Sequence, residues 1–384
     1  MINIMYLHAG AEMYGADKVL LDLIKNLDKN IFNPIVVLPE KGVLCDALSE
    51  YAEVMVVDYP ILRRKYFNPK GIVYYFNAFL KYSKQLVKIA KEKNIDLVHV
   101  NTSAVFEGIY LKKKAGLPIV WHIHEIIVKP KFMYKLTSRI IAKYSDEVSV
   151  VSNAVKEHLI NSGYFKKEIN VIYNGVDSNR FCLDEEGRKS ANLVLNLPDN
   201  SMTIGMIGRV NSWKGQASFL KAANIVMSKL PNVYTIFAGN AYKGEEWREE
   251  ELKAQIDASE HKNRIINLGY RSDSENIYNM LDVFVLPSIQ PDPLPTVVLE
   301  AMACQKPVVG YRHGGVCEMV KEGHNGLLAK PCDEEQLALR IIELLEDDDL
   351  RNVMAENSRE RVLKLFSLKS YADNFSILYK KTFK

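Results

Sequence analysis

Long apolar runs are missing from this 384-residue chain. Nowhere do about 18 uncharged apolar residues follow one another, so no membrane-spanning helix is expected. The opening MINIMYLHAG has no basic flank and no long apolar core, and it does not read as a secretory signal. Cysteine is sparse and unpaired: Cys45, Cys182, Cys304, Cys317 and Cys332 form no CxxC, which suits reduced cytosolic thiols better than disulfides or a zinc site. Net charge is small, +3 from 50 basic and 47 acidic residues, and gives no field for nucleic acid. Neither half opens its first βα turn with GxGxxG, which argues against a dinucleotide-dependent dehydrogenase. No Asp-x-Asp stands at a strand end, where a metal-held diphosphate would want it. These absences point to a cytoplasmic protein, at most peripheral at the inner face of the plasma membrane.

What is present is an α/β pattern. Apolar residues make up 48 % and charged residues 25 %, as in ordinary globular proteins, and the length implies two domains. Short β-branched runs alternate with helical patterns, the signature of parallel sheets built from βαβ units. The first half places strands at 2–7, 34–38, 54–57, 97–100, 119–122, 147–151 and 171–173, with helices such as 18–27 and 74–91 between them. A polar stretch, 174–200, reads as the interdomain connection. Strands then follow at 202–207, 234–238, 264–268, 283–286, 307–309 and 326–329, with helices at 215–229, 245–259, 296–303, 333–346, 350–365 and 368–384. Two such halves leave a cleft between the C-terminal edges of their sheets, where open α/β folds bind ligands.

Two segments carry most of the chemistry. The first, Gly208-Arg209-Val210-Asn211-Ser212-Trp213-Lys214-Gly215, follows a strand and opens a helix. Such a turn aims backbone N–H groups and a helix dipole outward, and two cations beside them suit a diphosphate. The second, Asp292 to Ala303, sets Asp292 in a proline-rich loop and Glu300 eight residues on, inside a helix. Carboxylates there can accept hydroxyl hydrogens of a ribose or sugar ring. The helix-start N–H groups around Thr296 and Val297 can meet the diphosphate. Glu300 lies among Leu299, Ala301, Met302 and Ala303, where an unpaired carboxylate would be costly.

With these segments the chain resembles the retaining glycosyltransferases of family 4, in the GT-B superfamily. Gly15-Ala16-Asp17-Lys18-Val19-Leu20 resembles the family's N-terminal glycine loop and first helix, and Tyr173-Asn174-Gly175-Val176-Asp177, with Phe181 after it, resembles the interdomain signature. Gly208-Arg209 with Lys214-Gly215 resembles its diphosphate turn, and Gly314-Gly315-Val316-Cys317-Glu318 and Asn325-Gly326-Leu327 its late glycine motifs. The resemblance implies a GT-B fold: two Rossmann-like domains facing across a cleft, an acceptor-side domain over 1–178 completed by a C-terminal helix at 366–384, and a donor-binding domain over 179–365. It implies transfer of a sugar from a UDP- or GDP-type donor to a glycan or lipid-linked acceptor, in cell-surface polysaccharide or glycolipid synthesis. No metal or other cofactor is implied, because Arg209 and Lys214 would hold the diphosphate and stabilise the leaving charge. Glu300 would take the ribose hydroxyls and Asp292 the sugar hydroxyls. Tyr270 and Arg271 would border the base, and Gly15 and Leu294 would complete the donor surface. His124, in Trp121-His122-Ile123-His124-Glu125, would stand against the donor sugar.

The chain departs from the family where Glu, an aromatic and a glycine are usual: it has Asp292, Leu294 and Pro295. Asp is one methylene shorter and Pro295 offers no backbone N–H, so the sugar contacts must differ. His122, two residues before His124, is expected on the opposite face of its strand and in the core. His99 is expected to pack in the sheet, His8 lies near the glycine loop, and Asn240 follows a strand into the cleft. Trp213 and Trp247 read as packing residues. Two basic–aromatic stretches, Leu62-Arg63-Arg64-Lys65-Tyr66-Phe67 and Lys129-Pro130-Lys131-Phe132-Met133-Tyr134-Lys135, suit either solvated loops or an anionic membrane surface. A non-catalytic sugar-nucleotide-binding subunit and a sugar-nucleotide epimerase are the competing readings.

Overall fold

A strand covered on both faces needs apolar side chains on both, so it reads as an unbroken apolar run. Leu97–Val100, Val283–Leu286, Val308–Tyr311 and Gly326–Ala329 are such runs, buried at every position. The structure, a computed structural model, describes residues 1–63 and 66–383; Arg64 and Lys65 of the first basic stretch lie outside them. The chain forms two compact units, Met1–Gly175 with the helix Leu368–Phe383, and Val176–Ser367.

The first unit contains β1 (Ile2–Leu7), α1 (Gly15–Asn26), β2 (Phe32–Leu38), α2 (Val43–Ser49), β3 (Glu53–Val56), α3 (Pro69–Glu92), β4 (Leu97–Val100), α4 (Glu107–Ala115), β5 (Ile119–Ile123), α5 (Lys131–Tyr144), β6 (Glu147–Val150), α6 (Asn153–Ile160) and β7 (Ile169–Val171). The second contains α7 (Glu185–Val194), β8 (Met202–Ile207), α8 (Gln216–Lys229), β9 (Val233–Ala238), α9 (Trp247–Asp257), β10 (Ile265–Asn267), α10 (Ser274–Met280), β11 (Val283–Leu286), α11 (Thr296–Ala303), β12 (Val308–Tyr311), α12 (Val316–Met319), β13 (Gly326–Ala329), α13 (Glu334–Glu346) and α14 (Asp348–Leu365). The final helix, α15 (Leu368–Phe383), returns to the first unit.

Each unit is built on one all-parallel sheet. The first has the order β3-β2-β1-β4-β5-β6-β7, the second β10-β9-β8-β11-β12-β13. In each sheet the chain first builds outward on one side and then crosses back to the other, so the order reverses beside the first strand. The reversal lies between β1 and β4 in one sheet and between β8 and β11 in the other. The loops leaving those strands diverge, and that divergence opens the ligand crevice of such folds.

The polar stretch 174–200 is not an irregular connection. It contains α7, which packs against α10 within the second unit. Its many charged side chains hide a helix whose support comes from a partner rather than from its own apolar content. Shorter helices, α2, α4 and α6 among them, also escape a reading by periodicity, because two turns hold too few apolar positions to show a 3.6-residue repeat.

Helix α15 is structural in the first unit. Tyr371, Phe375, Leu378 and Tyr379 are buried in the same cluster as Ile4, Tyr6, Leu20 and Leu23. Phe375 is 0 % exposed, and its ring lies 5.3 Å from Tyr371, 5.4 Å from His99 and 4.9 Å from His122. Phe375→Ala is therefore expected to cost about 3–5 kcal/mol. Hydrogen exchange should show protection falling across Met1–Gly175 and unchanged across Val176–Ser367; equal loss in both would contradict this division.

Candidate active site

In the second unit the two segments singled out by sequence leave adjacent strands at the reversal. The turn 208–215 follows β8 and the loop 287–295 follows β11. Gly215 holds them together. Its φ is +84°, and a Cβ there would sit 1.9 Å from the Pro287 carbonyl oxygen, so only glycine allows this approach. On the other side, the Gly315 N–H donates to the Asp292 carbonyl at 2.7 Å. A Cβ on Gly315 would lie 2.0 Å from the Pro293 carbonyl oxygen. The glycine motif 314–315 is thus the wall that fixes the Asp292 loop.

The charges meet here. Lys214 Nζ donates to Asp292 Oδ2 at 2.5 Å, with the two side chains 17 % and 10 % exposed. Lys214 also lies over the Trp213 ring, 4.5 Å from its centroid, so Trp213 shields one side of the ammonium. Asn211 Oδ1 accepts from the N–H groups of Trp213 and Lys214 at 3.0 and 2.8 Å and sets the turn. Arg209 stacks on Tyr242, its guanidinium carbon 3.8 Å from the ring centroid, and donates to the Ala241 carbonyl at 3.4 Å. Glu300 is 6 % exposed and accepts from the Tyr278 hydroxyl at 2.7 Å. Burial, reinforced by the Glu300 charge, pushes the Tyr278 hydroxyl far up, so it remains a donor. Thr296 and Val297 open α11 half-buried, and Leu294, two residues before, is buried.

The outer members of the expected site are placed differently. Tyr270 is 69 % exposed, and Arg271 is held by Asp273 through two contacts of 2.7 and 2.5 Å. That pairing keeps the Asp273 carboxyl well below its usual range. The Asn240 carbonyl accepts from the Val210 N–H at 2.9 Å, tying β9's exit to the diphosphate turn. Trp247 does not pack in the core; it is 52 % exposed, with Arg248 4.2 Å over its ring.

In the first unit, the reversal between β1 and β4 gathers four histidines around one amide. His99 Nε2–H, His122 Nδ1–H and His124 Nε2–H converge on Asn101 Oδ1 at 3.1, 3.2 and 3.1 Å. The Asn101 amide N–H donates to His8 Nδ1 at 3.0 Å, and His8 Nε2–H donates to Asp17 at 2.6 Å. Tyr6 donates to Tyr379 at 3.2 Å and Tyr379 to His99 Nδ1 at 2.8 Å, which fixes that tautomer. Burial, deepened by the neighbouring imidazoles, holds His99 and His124 down at about 3 and His122 well below its ordinary value. These three rings are neutral at physiological pH.

The expectation that His122 and His124 lie on opposite faces is corrected. Their ring centroids are 4.1 Å apart, because side chains two residues apart along a strand share a face, and His124 follows β5 directly. His122 is buried, as a core residue should be, and His124 is half-buried. Glu125 anchors the loop: it accepts from the Thr102 hydroxyl at 2.5 Å and from the Ser103 and His124 N–H groups at 3.2 Å. Gly15 is exposed at the start of α1, where Asp17 accepts from the Tyr14 N–H at 2.8 Å.

Asn101 was not legible as a hub, although Asn-Thr-Ser directly after an apolar strand marks a polar loop at a sheet edge. Glu107, at the start of α4, was missed too. It is fully buried, its Oε1 has no hydrogen-bond partner among the described residues, and burial pushes its carboxyl up to about 8.

Two family models match the chain: Glycosyltransferase Family 4 over residues 13–180 and Glycosyl transferases group 1 over residues 189–361. The chain is 27 % identical, over 98 % of its length and 96 % of the relative's, to UDP-Gal:alpha-D-GlcNAc-diphosphoundecaprenol alpha-1,3-galactosyltransferase of Escherichia coli. It is 25 % identical, over 93 % of each chain, to the N,N'-diacetylbacillosaminyl-diphospho-undecaprenol alpha-1,3-N-acetylgalactosaminyltransferase of Campylobacter jejuni. The Anabaena HepE structure in complex with UDP and glucose matches with a TM-score of 0.86 and 25 % identity, covering 99 % of this chain and 100 % of that one. Its two parallel sheets are those of the GT-B fold. The motifs, the two sheets and these likenesses agree: this chain is a glycosyltransferase, a member of the glycosyl transferases group 1 of glycosyltransferase family 4.

Proposed function

We propose that the protein transfers a sugar, with retention, from a UDP-type donor to a lipid-diphosphate-linked acceptor in cell-surface glycan assembly. The observation that carries this reading is the Lys214–Asp292 ion pair at the strand reversal, on the same turn that carries Arg209. The Escherichia coli and Campylobacter jejuni relatives are named for undecaprenol-diphosphate acceptors, and the former for a UDP-galactose donor. HepE is described with UDP bound.

Lys214 has three N–H donors, so one ammonium can keep the Asp292 carboxylate and reach a phosphate oxygen. Asp292 holds Lys214 in place and offers its remaining acceptor capacity to sugar hydroxyls. Arg209, braced on Tyr242, takes phosphate oxygens in its fork. The bond from the anomeric carbon to the leaving phosphate breaks, the acceptor oxygen bonds to the same face, and the acceptor proton passes to the leaving phosphate. The positive charge of Arg209 and Lys214 stabilises that leaving group as its charge grows. Glu300 takes the ribose hydroxyls. Neutral His124 gives its Nε2–H to Asn101, so its Nδ1 is an acceptor for a sugar hydroxyl.

Lys214→Ala is expected to lower kcat about tenfold to a hundredfold, as for loss of one electrostatic donor. Glu300→Gln keeps an acceptor for Tyr278 and should mainly raise KM. Steady-state kinetics with one accepted donor decide between them; a KM-only effect at Lys214 with loss of kcat at Glu300 would reverse the assignments. A second measurement addresses charge supply: with Arg209 and Lys214 neutralising the diphosphate, turnover should persist in excess EDTA. Abolition by EDTA and recovery with manganese would overturn that point. The third concerns Asn101→Asp. Wild-type His124 stays neutral from pH 5 to 9, well above its pKa of about 3, so it adds no acidic limb. A carboxylate among three imidazoles favours their charged forms and raises their pKa values, so kcat should fall about tenfold at pH 6 and recover by about pH 8.5. A flat pH–rate profile for this variant would remove His124 from the reaction.

A further inference from the structure

The first unit carries an apolar surface that its own packing leaves uncovered. On the first two turns of α3, Ile72, Val73, Tyr74 and Phe76 are each 58–61 % exposed. On α5 and the loop before it, Phe132 is 60 % exposed and Val128 and Leu136 each 47 %. The two helices are far apart in sequence, yet Phe67 joins them: its ring meets Phe132 edge-on at 6.0 Å. Tyr66 beside it stacks on Tyr74 at 5.8 Å. A contiguous apolar patch of this kind on a folded unit marks a contact surface rather than scattered exposure.

Its charge identifies the partner. The segments 59–91 and 126–145, which contribute the patch, hold no Asp or Glu, in a chain whose 50 basic and 47 acidic residues nearly balance as a whole. Arg63, Lys70, Lys129, Lys131, Lys135 and Arg139 are exposed on them. A second copy of the chain would set this basic rim against itself, and lysine is depleted at the centre of protein interfaces. An anionic bilayer matches both features, because lysines suit headgroups while aromatic and aliphatic side chains enter the acyl boundary. Both helices begin at the C-terminal edge of the sheet, the edge that carries His124 and Asn101.

We infer that the N-terminal turns of α3 and α5, joined through Phe67, dock the first unit on an anionic phospholipid surface. Taken with the proposed lipid-linked acceptor, on which this last step rests, docking sets the acceptor edge of the sheet at the headgroup layer.

The test is co-sedimentation of the full chain with phosphatidylcholine vesicles containing roughly 30 % phosphatidylglycerol, and with phosphatidylcholine alone. Wild type should sediment with the anionic vesicles and be released by salt. The variant Ile72→Ser/Phe76→Ser/Phe132→Ser should partition about tenfold less or weaker still, as should Lys129→Ser/Lys131→Ser/Lys135→Ser, the latter with its salt dependence flattened. All these side chains are at least partly solvent-facing, and circular dichroism checks that both variants fold. Wild type remaining in the supernatant, or both variants sedimenting like wild type, overturns the inference. So does light scattering that shows a wild-type dimer split by the serine substitutions, which would make a second copy the occupant. Donor hydrolysis measured without vesicles separates the two readings. Its absence in wild type defeats the transferase proposal and leaves the docking result standing; its retention in both variants beside lost sedimentation supports docking.

Discussion

The reversal of strand order is the constraint on which both halves of the chemistry depend. In a parallel sheet the loops at the carboxyl edge normally crowd over one another. Where successive connections leave in opposite directions, two loops part and backbone ends are left facing the gap. Gly208–Gly215 and Pro287–Pro295 are such loops in one unit, and the exits of β1 and β4 are such loops in the other. Arg209, Lys214 and Asp292 stand on these loops, while His124 stands one strand over at the exit of β5 and Glu300 within α11.

The two sites use opposite electrostatics. In the second unit charge is kept: Lys214 and Asp292 neutralise each other, and Arg209 rests on an aromatic face that tolerates its positive charge. An anion arriving there finds cations already oriented, with little reorganisation to complete. In the first unit charge is refused. Four imidazoles around one amide would repel if protonated, and burial keeps His99, His122 and His124 neutral. The result is a cluster of neutral imidazoles around one amide, with the carboxylates of Asp17 and Glu125 at its margin.

The sequence carried the alternation of strands and helices because buried parallel strands are continuous apolar runs, and it carried the turn 208–215 because its glycines and polar residues sit between a strand and a helix. It did not carry α7, whose support is tertiary; the nearness of His122 to His124 was open to it, since residues two apart on a strand share a face. Asn101 was silent for a further reason. A hub is recognised by what converges on it, and His8, Asn101 and His124 are scattered across the chain until the sheet brings them to one edge. The exposed face of α3 was likewise hidden, because a helix with apolar residues on several sides reads as buried.

The place of α15 in the chain orders the making of the protein. Its Tyr379 fixes the His99 tautomer and its Phe375 backs His99 and His122. During synthesis the whole of Val176–Ser367 leaves the ribosome before these residues do. The second sheet can therefore fold while the histidine cluster still lacks its backing helix, and domains generally fold as units in the order in which they emerge. A nascent chain stalled near Ser367 would hold a complete second unit and a first one whose histidine cluster still lacks its backing helix.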